Sequence, residues 1–220
     1  MPRLLELCCG RKSVSKYFEA QGWECVTVDL DSRFEPTICA DVRDIEPAKL
    51  WKAGEFDVIW ASPPCTEYSI AKRTKRDWKT ADQIVIACFD IILYLTGDHN
   101  KIVFWFVENP ATGYLKTRPF MQQWAENKKT LCYCKYGTPY KKSTNIWTNL
   151  DWNPKPICSK GIRCISFCVP QNCHNKTAQK GPSKIGSGMT QNDDFKTEEL
   201  YSIPIQLIAD LFACISGRRK

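Results

Sequence analysis

Two residues of this sequence stand where a reacting group would have to stand. Cys65 closes the run Ser62-Pro63-Pro64-Cys65 directly after the apolar stretch Phe56 to Trp60, and Glu108 opens Glu108-Asn109-Pro110 directly after Ile102 to Val107. Paired prolines stiffen the backbone and present the thiol at one place. Ionised cysteine is a strong nucleophile, and a carboxyl group on a neighbouring strand end can hold or pass a proton for whatever the thiolate attacks. The bland alternative for Cys65 is a cysteine buried in a turn.

A second set of residues has the types that hold a nucleotide-like ligand. Glu6-Leu7-Cys8-Cys9-Gly10-Arg11-Lys12-Ser13 joins an apolar run to the start of a helix, where unpaired backbone N–H groups attract a carboxylate or phosphate. Asp29 follows the next run and has the chemistry to accept from a ribose diol. Asp41, after Ile38 to Ala40, could accept from an adenine amino group, although a loop carboxylate is more often only solvated.

Two further groups point to a polyanion and to a metal. Lys72, Arg73, Lys75, Arg76 and Lys79 come just after Cys65, placed to meet phosphates or to form a solvated helix face. Cys158, Cys164, Cys168, Cys173 and His174 form a C-x5-C-x3-C-x4-C-H series, enough ligands for tetrahedral zinc. Reduced loop cysteines are the other reading. The series lies between Trp152 and Asn192, which holds six Lys or Arg and no Asp or Glu and has little hydrophobic periodicity, so few apolar residues are available to fold it without a staple.

The elements that must position these groups are legible as alternation. Leu4 to Cys8, Cys25 to Val28, Phe56 to Trp60 and Ile102 to Val107 are short, apolar and rich in β-branched or aromatic residues. Ser13 to Gln21 reads as a helix capped by Ser13 and stopped by Gly22. Ile84, Ala87, Cys88, Ile91, Ile92 and Leu95 recur at helical spacing before Gly97. Leu131 to Trp147 reads as a hairpin turning at Gly137 and Pro139, and Pro204 to Ile215 as a closing amphipathic helix. Helices alternating with strands predict a mostly parallel sheet, and ligands of such sheets gather at the carboxyl ends of strands.

Composition bounds the rest. The 220 residues fit one α/β core with an insertion, divided here into a core over 1–150, an inserted segment over 151–198 and a return over 199–220. Residues 1–70 hold 8 Lys or Arg against 12 Asp or Glu, and residues 71–220 hold 23 against 12, which places the attraction for a polyanion in the later part. Of the thirteen cysteines, Cys25, Cys39, Cys88 and Cys214 sit in apolar runs and read as reduced core residues rather than disulfides. Arg3 and Glu6 interrupt the start, and no stretch reaches the roughly 18 apolar residues of a membrane span, so a soluble intracellular protein without a membrane partner is expected. Oligomeric state is not legible.

These motifs and their order, from Leu4 to Ile215, make the sequence resemble the cytosine C5 methyltransferase family, in the compact form of large DNA viruses and phages. The resemblance implies an α/β, Rossmann-like fold dependent on S-adenosylmethionine, with a small inserted target-recognition segment. It implies a cofactor edge of Leu7, Cys8, Gly10, Lys12, Asp29, Leu30, Asp41, Val42 and Pro63, and catalysis by Cys65 and Glu108 with Lys141 and Lys142. Nucleic acid is expected at Ser69, Lys72, Arg73, Lys75, Arg76 and Thr144. Double-stranded DNA is the implied partner, in the nucleus or cytoplasm of a host cell if the source is viral. RNA, or a relative that binds nucleic acid without catalysis, is the alternative. The family's Gln-x-Arg-x-Arg cluster stands here as Tyr140-Lys141-Lys142-Ser143-Thr144, and its glycine-rich loop as Cys8-Cys9-Gly10-Arg11-Lys12.

Overall fold

The computed structural model describes residues 1–98, 100–158, 164, 167–168, 173–174 and 202–218. Seven strands form one sheet: β1 (Arg3–Leu7), β2 (Glu24–Asp29), β3 (Ile38–Cys39), β4 (Val58–Ala61), β5 (Phe104–Pro110), β6 (Lys128–Cys132) and β7 (Ser143–Thr148). Their order is β3-β2-β1-β4-β5-β7-β6. The first five are parallel, and β7 runs antiparallel to both β5 and β6, as the hairpin reading required.

The parallel strands are apolar on both faces because both faces are covered. Leu5, Leu7, Ile59, Ala61, Trp105 and Val107 pack on one side against α3 (Trp78–Leu95) through Val85, Cys88, Phe89, Ile92 and Leu95. Their neighbours Leu4, Val58, Trp60, Phe104 and Phe106 pack on the other against Val14 and Phe18 of α1 (Ser13–Ala20). A short α2 (Pro47–Leu50) precedes β4. The chain returns at α4 (Ile205–Arg218), which buries Leu207, Ile208, Leu211 and Ile215 beside α1, and Asp210 accepts a hydrogen bond from Trp152 Nε1 at 3.1 Å. Among the described residues no helix is long and apolar enough to cross a membrane.

Local details depart from the sequence reading in three places. Ser13 does not cap α1; the cap position is Lys12, in the left-handed region and without a side-chain bond, and the Glu6 carboxylate of β1 accepts from Ser15 N at 2.8 Å instead. A capping acceptor supplied nine residues back, from the preceding strand, falls outside the usual capping spacing. Gly22 does end the helix, at φ 79°, with Gly22 N and Trp23 N donating back to Glu19 and Phe18. The helix α3 begins at Trp78, earlier than its apolar period, because Asp77 accepts from Thr80 N at 3.1 Å. Cys88 is buried and Cys25 and Cys214 are half-buried, whereas Cys39 is exposed; every cysteine whose side chain is described is a free thiol.

Candidate active site

The strand register sets the site. Leu7 pairs with Ala61 and Ala61 with Val107, so Cys8, Ser62 and Glu108 emerge side by side at the carboxyl edge. A cleft of about 830 Å³ opens there, a size suited to a nucleotide-like ligand.

On its first wall the chain must turn sharply from β1 into α1 with a single glycine. Gly10 takes φ 45°, and the non-glycine residues Cys8 (φ 52°) and Lys12 (φ 59°) also enter the left-handed region. That conformation is costly for side-chain-bearing residues and is held here by its surroundings. Cys9 N donates to Val28 O at 3.1 Å, Lys12 N to Cys9 O at 2.8 Å and Gly10 N to the Asp29 carboxylate at 2.8 Å. The other Asp29 oxygen accepts from Asp31 N at 2.9 Å, which fixes this carboxylate as part of the wall. The Lys12 ammonium bonds the Glu35 carbonyl across the mouth. Glu6, only 2% exposed, lines the floor; burial pushes its carboxyl up to about 7 despite the Ser15 hydrogen bond.

The second wall carries the reactive groups. Ser62 N donates to Leu7 O at 3.1 Å and Asn109 Nδ2 to Pro63 O at 3.1 Å, pinning the proline pair to strands on either side. Cys65 then faces the cleft half-buried, and its thiol is pushed up by burial and by the Glu108 carboxylate, against the opposing pull of Lys142. Glu108 is 6% exposed and accepts from Tyr133 Oη at 3.0 Å, while Lys142 Nζ stands 3.9 Å from the same carboxylate oxygen and 4.7 Å from the centre of the Tyr133 ring. A thiol, a clamped carboxylate and a lysine thus share one edge. Such a set can add a nucleophile to a ring, hold its exocyclic groups and offset developing negative charge.

The expected residues separate accordingly. Cys8, Gly10, Lys12, Asp29, Pro63, Cys65, Glu108 and Lys142 line the cleft. Leu7 is a fully buried strand residue behind it. Leu30 points outward, 69% exposed. Asp41 pairs with Arg43 at 2.6 Å, which holds its carboxyl below the usual range, and Val42 is buried behind it; neither is on the lining. Lys141 is exposed outside the cleft, since adjacent residues of an extended chain point to opposite sides. Thr144 is fully buried in β7 and has no surface to offer nucleic acid.

The basic run after Cys65 is a loop from Lys72 to Arg76, and Lys79 stands exposed in the first turn of α3. Lys72 pairs with Glu67, and Arg76 donates to the carbonyls of Glu67, Ser69 and Lys72 while stacking over Trp78 and Tyr114. Ser69 Oγ accepts from Ala71 N at 3.2 Å. These three hold the loop together, and Arg73 and Lys75 remain exposed upon it. Of the cysteine series, Cys158 and Cys164 are brought onto Cys134. Cys168, Cys173 and His174 contribute backbone to the pair β8 (Phe167–Cys168) and β9 (Cys173–His174), and their side chains lie outside the described residues.

Sequence reasoning missed Phe34 and Glu35, which follow β2 and wall the cleft; Tyr133, which reads as a core aromatic; and Ile203, delivered from far along the chain. Only Phe34 had a signal, five residues after Asp29 at a strand's carboxyl end.

The family model described as "C-5 cytosine-specific DNA methylase" matches residues 3–104. The chain is 34% identical over 178 residues to a protein of Frog virus 3 (isolate Goorha) described as "Probable DNA (cytosine-5)-methyltransferase", covering 74% of this chain and 77% of that one. Among solved structures, a mutant of Spodoptera frugiperda DNMT2 superposes with a TM-score of 0.53 at 13% identity, covering 98% of this chain and 100% of its own. The Entamoeba histolytica methyltransferase EhMeth superposes with a TM-score of 0.51 at 12% identity, covering 100% and 99%. At such identity the two structures establish the shared fold.

Proposed function

Because the chain belongs to the C-5 cytosine-specific DNA methylase family, we propose that it methylates C5 of a cytosine in DNA, with Cys65 as the nucleophile. The observation that carries the assignment of roles is the pairing of Cys65 and Glu108 on adjacent strand ends, with Tyr133 and Lys142 fixed against the carboxylate.

Carbon C5 of cytosine is too electron-poor to take a methyl group unaided. Addition of the Cys65 thiolate at C6 makes C5 enamine-like. Glu108 passes a proton to N3 while its other oxygen accepts from the exocyclic amino group, and Lys142 offsets the negative charge that gathers as the thiolate adds. Tyr133 holds the Glu108 carboxylate in one orientation through its hydroxyl. Once C5 has taken the methyl group, solvent takes the C5 proton and Cys65 leaves as the thiolate, restoring the ring double bond.

S-Adenosylmethionine, when bound, supplies an electrophilic methyl group carried on a sulfonium. The cleft suits it: Asp29 offers a carboxylate of fixed orientation, Phe34 an aromatic surface, and Gly10 a site where an added Cβ would meet nothing within 4 Å, so the backbone faces open space. Asp41 is proposed to reach the adenine only after giving up Arg43.

A stacked base is out of reach of Cys65, so the cytosine is flipped into the cleft, and Arg73 and Lys75 are proposed to take flanking phosphates. The test is a covalent trap. DNA containing 5-fluorocytosine, incubated with cofactor, is expected to form a stable adduct with the wild type and none with Cys65→Ala, because fluorine blocks removal of the C5 substituent. A parallel RNA strand identifies the acceptor. Absence of any adduct, or its persistence in Cys65→Ala, overturns the assignment.

A further inference from the structure

The first part of the inserted segment meets the sheet edge at a cluster of sulfur atoms outside the cleft. Cys134 lies in the 3-10 turn Tyr133–Tyr136 that follows β6, and Cys158 and Cys164 both lie in the insertion that follows β7. Their three sulfurs all lie within 4.8 Å of one another, and Cys134 Sγ to Cys158 Sγ is 3.6 Å. A fourth sulfur, Cys132 Sγ, is 3.2 Å from Cys134 Sγ.

This spacing matches metal coordination. Four thiolates at about 2.3 Å from a tetrahedral zinc stand roughly 3.8 Å apart, near the separation seen and far from the ~2.05 Å of a disulfide. One disulfide would also leave an odd thiol in the same triangle. The sulfurs come from two chain segments 24 residues apart, one on the rigid sheet edge and one on the weakly apolar insertion. We propose that Cys134, Cys158 and Cys164 bind zinc as thiolates, with Cys132 turning in to complete the tetrahedron, and that the ion fastens the insertion to the active-site corner. Each thiol gives its proton to solvent on ligation.

The position gives the ion a consequence for the cleft. Cys132 and Cys134 flank Tyr133, whose hydroxyl donates to Glu108 and whose N–H donates to the Lys142 carbonyl at 3.0 Å. Zinc at this point fixes the chain on both sides of the residue that orients Glu108. The consequence for methyl transfer rests on the proposed function, whereas binding of the metal does not, so the two can fail separately.

The full chain, purified under reducing conditions without chelator, is expected to carry about one zinc per chain by elemental analysis. Cobalt put in its place is expected to give the visible bands of tetrahedral thiolate-bound Co2+. Cys134→Ser and Cys158→Ser should lose both signals, and Cys39→Ser should keep them. Should the variants fail to fold, alkylation of the wild type answers instead: Cys158 and Cys164 are expected to react only after chelation. Reaction of both cysteines irrespective of chelator overturns the proposal. So does zinc retained in both serine variants, or a Cys134–Cys158 disulfide in fresh protein. If zinc binds, its removal is expected to lower the methylation rate with little change in cofactor affinity.

Discussion

Replacing Glu6 by Gln tests whether the cleft floor holds a proton. The carboxyl group is 2% exposed and accepts one backbone N–H, and burial raises it from 4.5 to about 7. Between those two pH values the folded chain keeps a proton that the unfolded chain has released, so stability falls as pH rises across that window and the loss is complete above it. At about 1.36 kcal/mol for each pH unit of separation, the loss is about 3 kcal/mol. Glutamine preserves the carbonyl that accepts from Ser15 N and removes the buried charge. Urea unfolding of the cofactor-free protein is expected to show nearly equal stability for wild type and Glu6→Gln at pH 4, below the unfolded value of 4.5. At pH 8 the variant should be more stable by about 3 kcal/mol, a gain of about 6–12 °C in melting temperature for a chain of this size. A difference that is the same at both pH values would refute the buried, titrating carboxyl.

Four other outcomes follow from the site. Lys142→Met should lower the single-turnover methylation rate roughly 100-fold, the cost of losing one charge-stabilising group, while Lys141→Met, altering an exposed side chain, should change it little. Tyr133→Phe deletes the hydroxyl that donates to Glu108; a hydrogen bond to a charged group is worth about 1.5–3 kcal/mol, so the rate should fall roughly 10- to 100-fold with DNA affinity nearly unchanged. Because burial and Glu108 raise the Cys65 thiol above its ordinary 9.0, the thiolate fraction should limit turnover, and the rate should climb steadily from pH 7 to 9; a flat profile would contradict this. Arg73→Ala with Lys75→Ala should make DNA binding less sensitive to salt, the slope of log affinity against log salt flattening by about 0.9 for each phosphate no longer neutralised, whereas Arg76→Ala should show itself in thermal unfolding, because its guanidinium braces the loop.

The sequence by itself determined the parallel core, the neighbouring places of Cys65 and Glu108, the Asp29 wall and the Gly22 stop of α1. Each depends on a local pattern: an apolar run, a proline pair, a residue type next in the chain. Cys65 comes beside Glu108 because β4 and β5 are both apolar, are separated by a single helix and pair in the sheet. What only the tertiary structure decided was which side chains meet across the chain. Lys142 rather than Lys141 reaches Glu108, because one residue of register along an extended segment reverses the direction of a side chain. Glu6 caps α1 from a different strand, Tyr133 clamps Glu108 from 25 residues away, and Cys134 joins Cys158 and Cys164 although the three form no recognisable spacing. Asp41 and the Lys72 to Arg76 run had the right chemistry, but ion pairs and carbonyl contacts engage Asp41, Lys72 and Arg76 within the fold. Local spacing specifies the elements; contacts between residues distant in the chain arise only when those elements pack, and these contacts set the orientation of each reactive group.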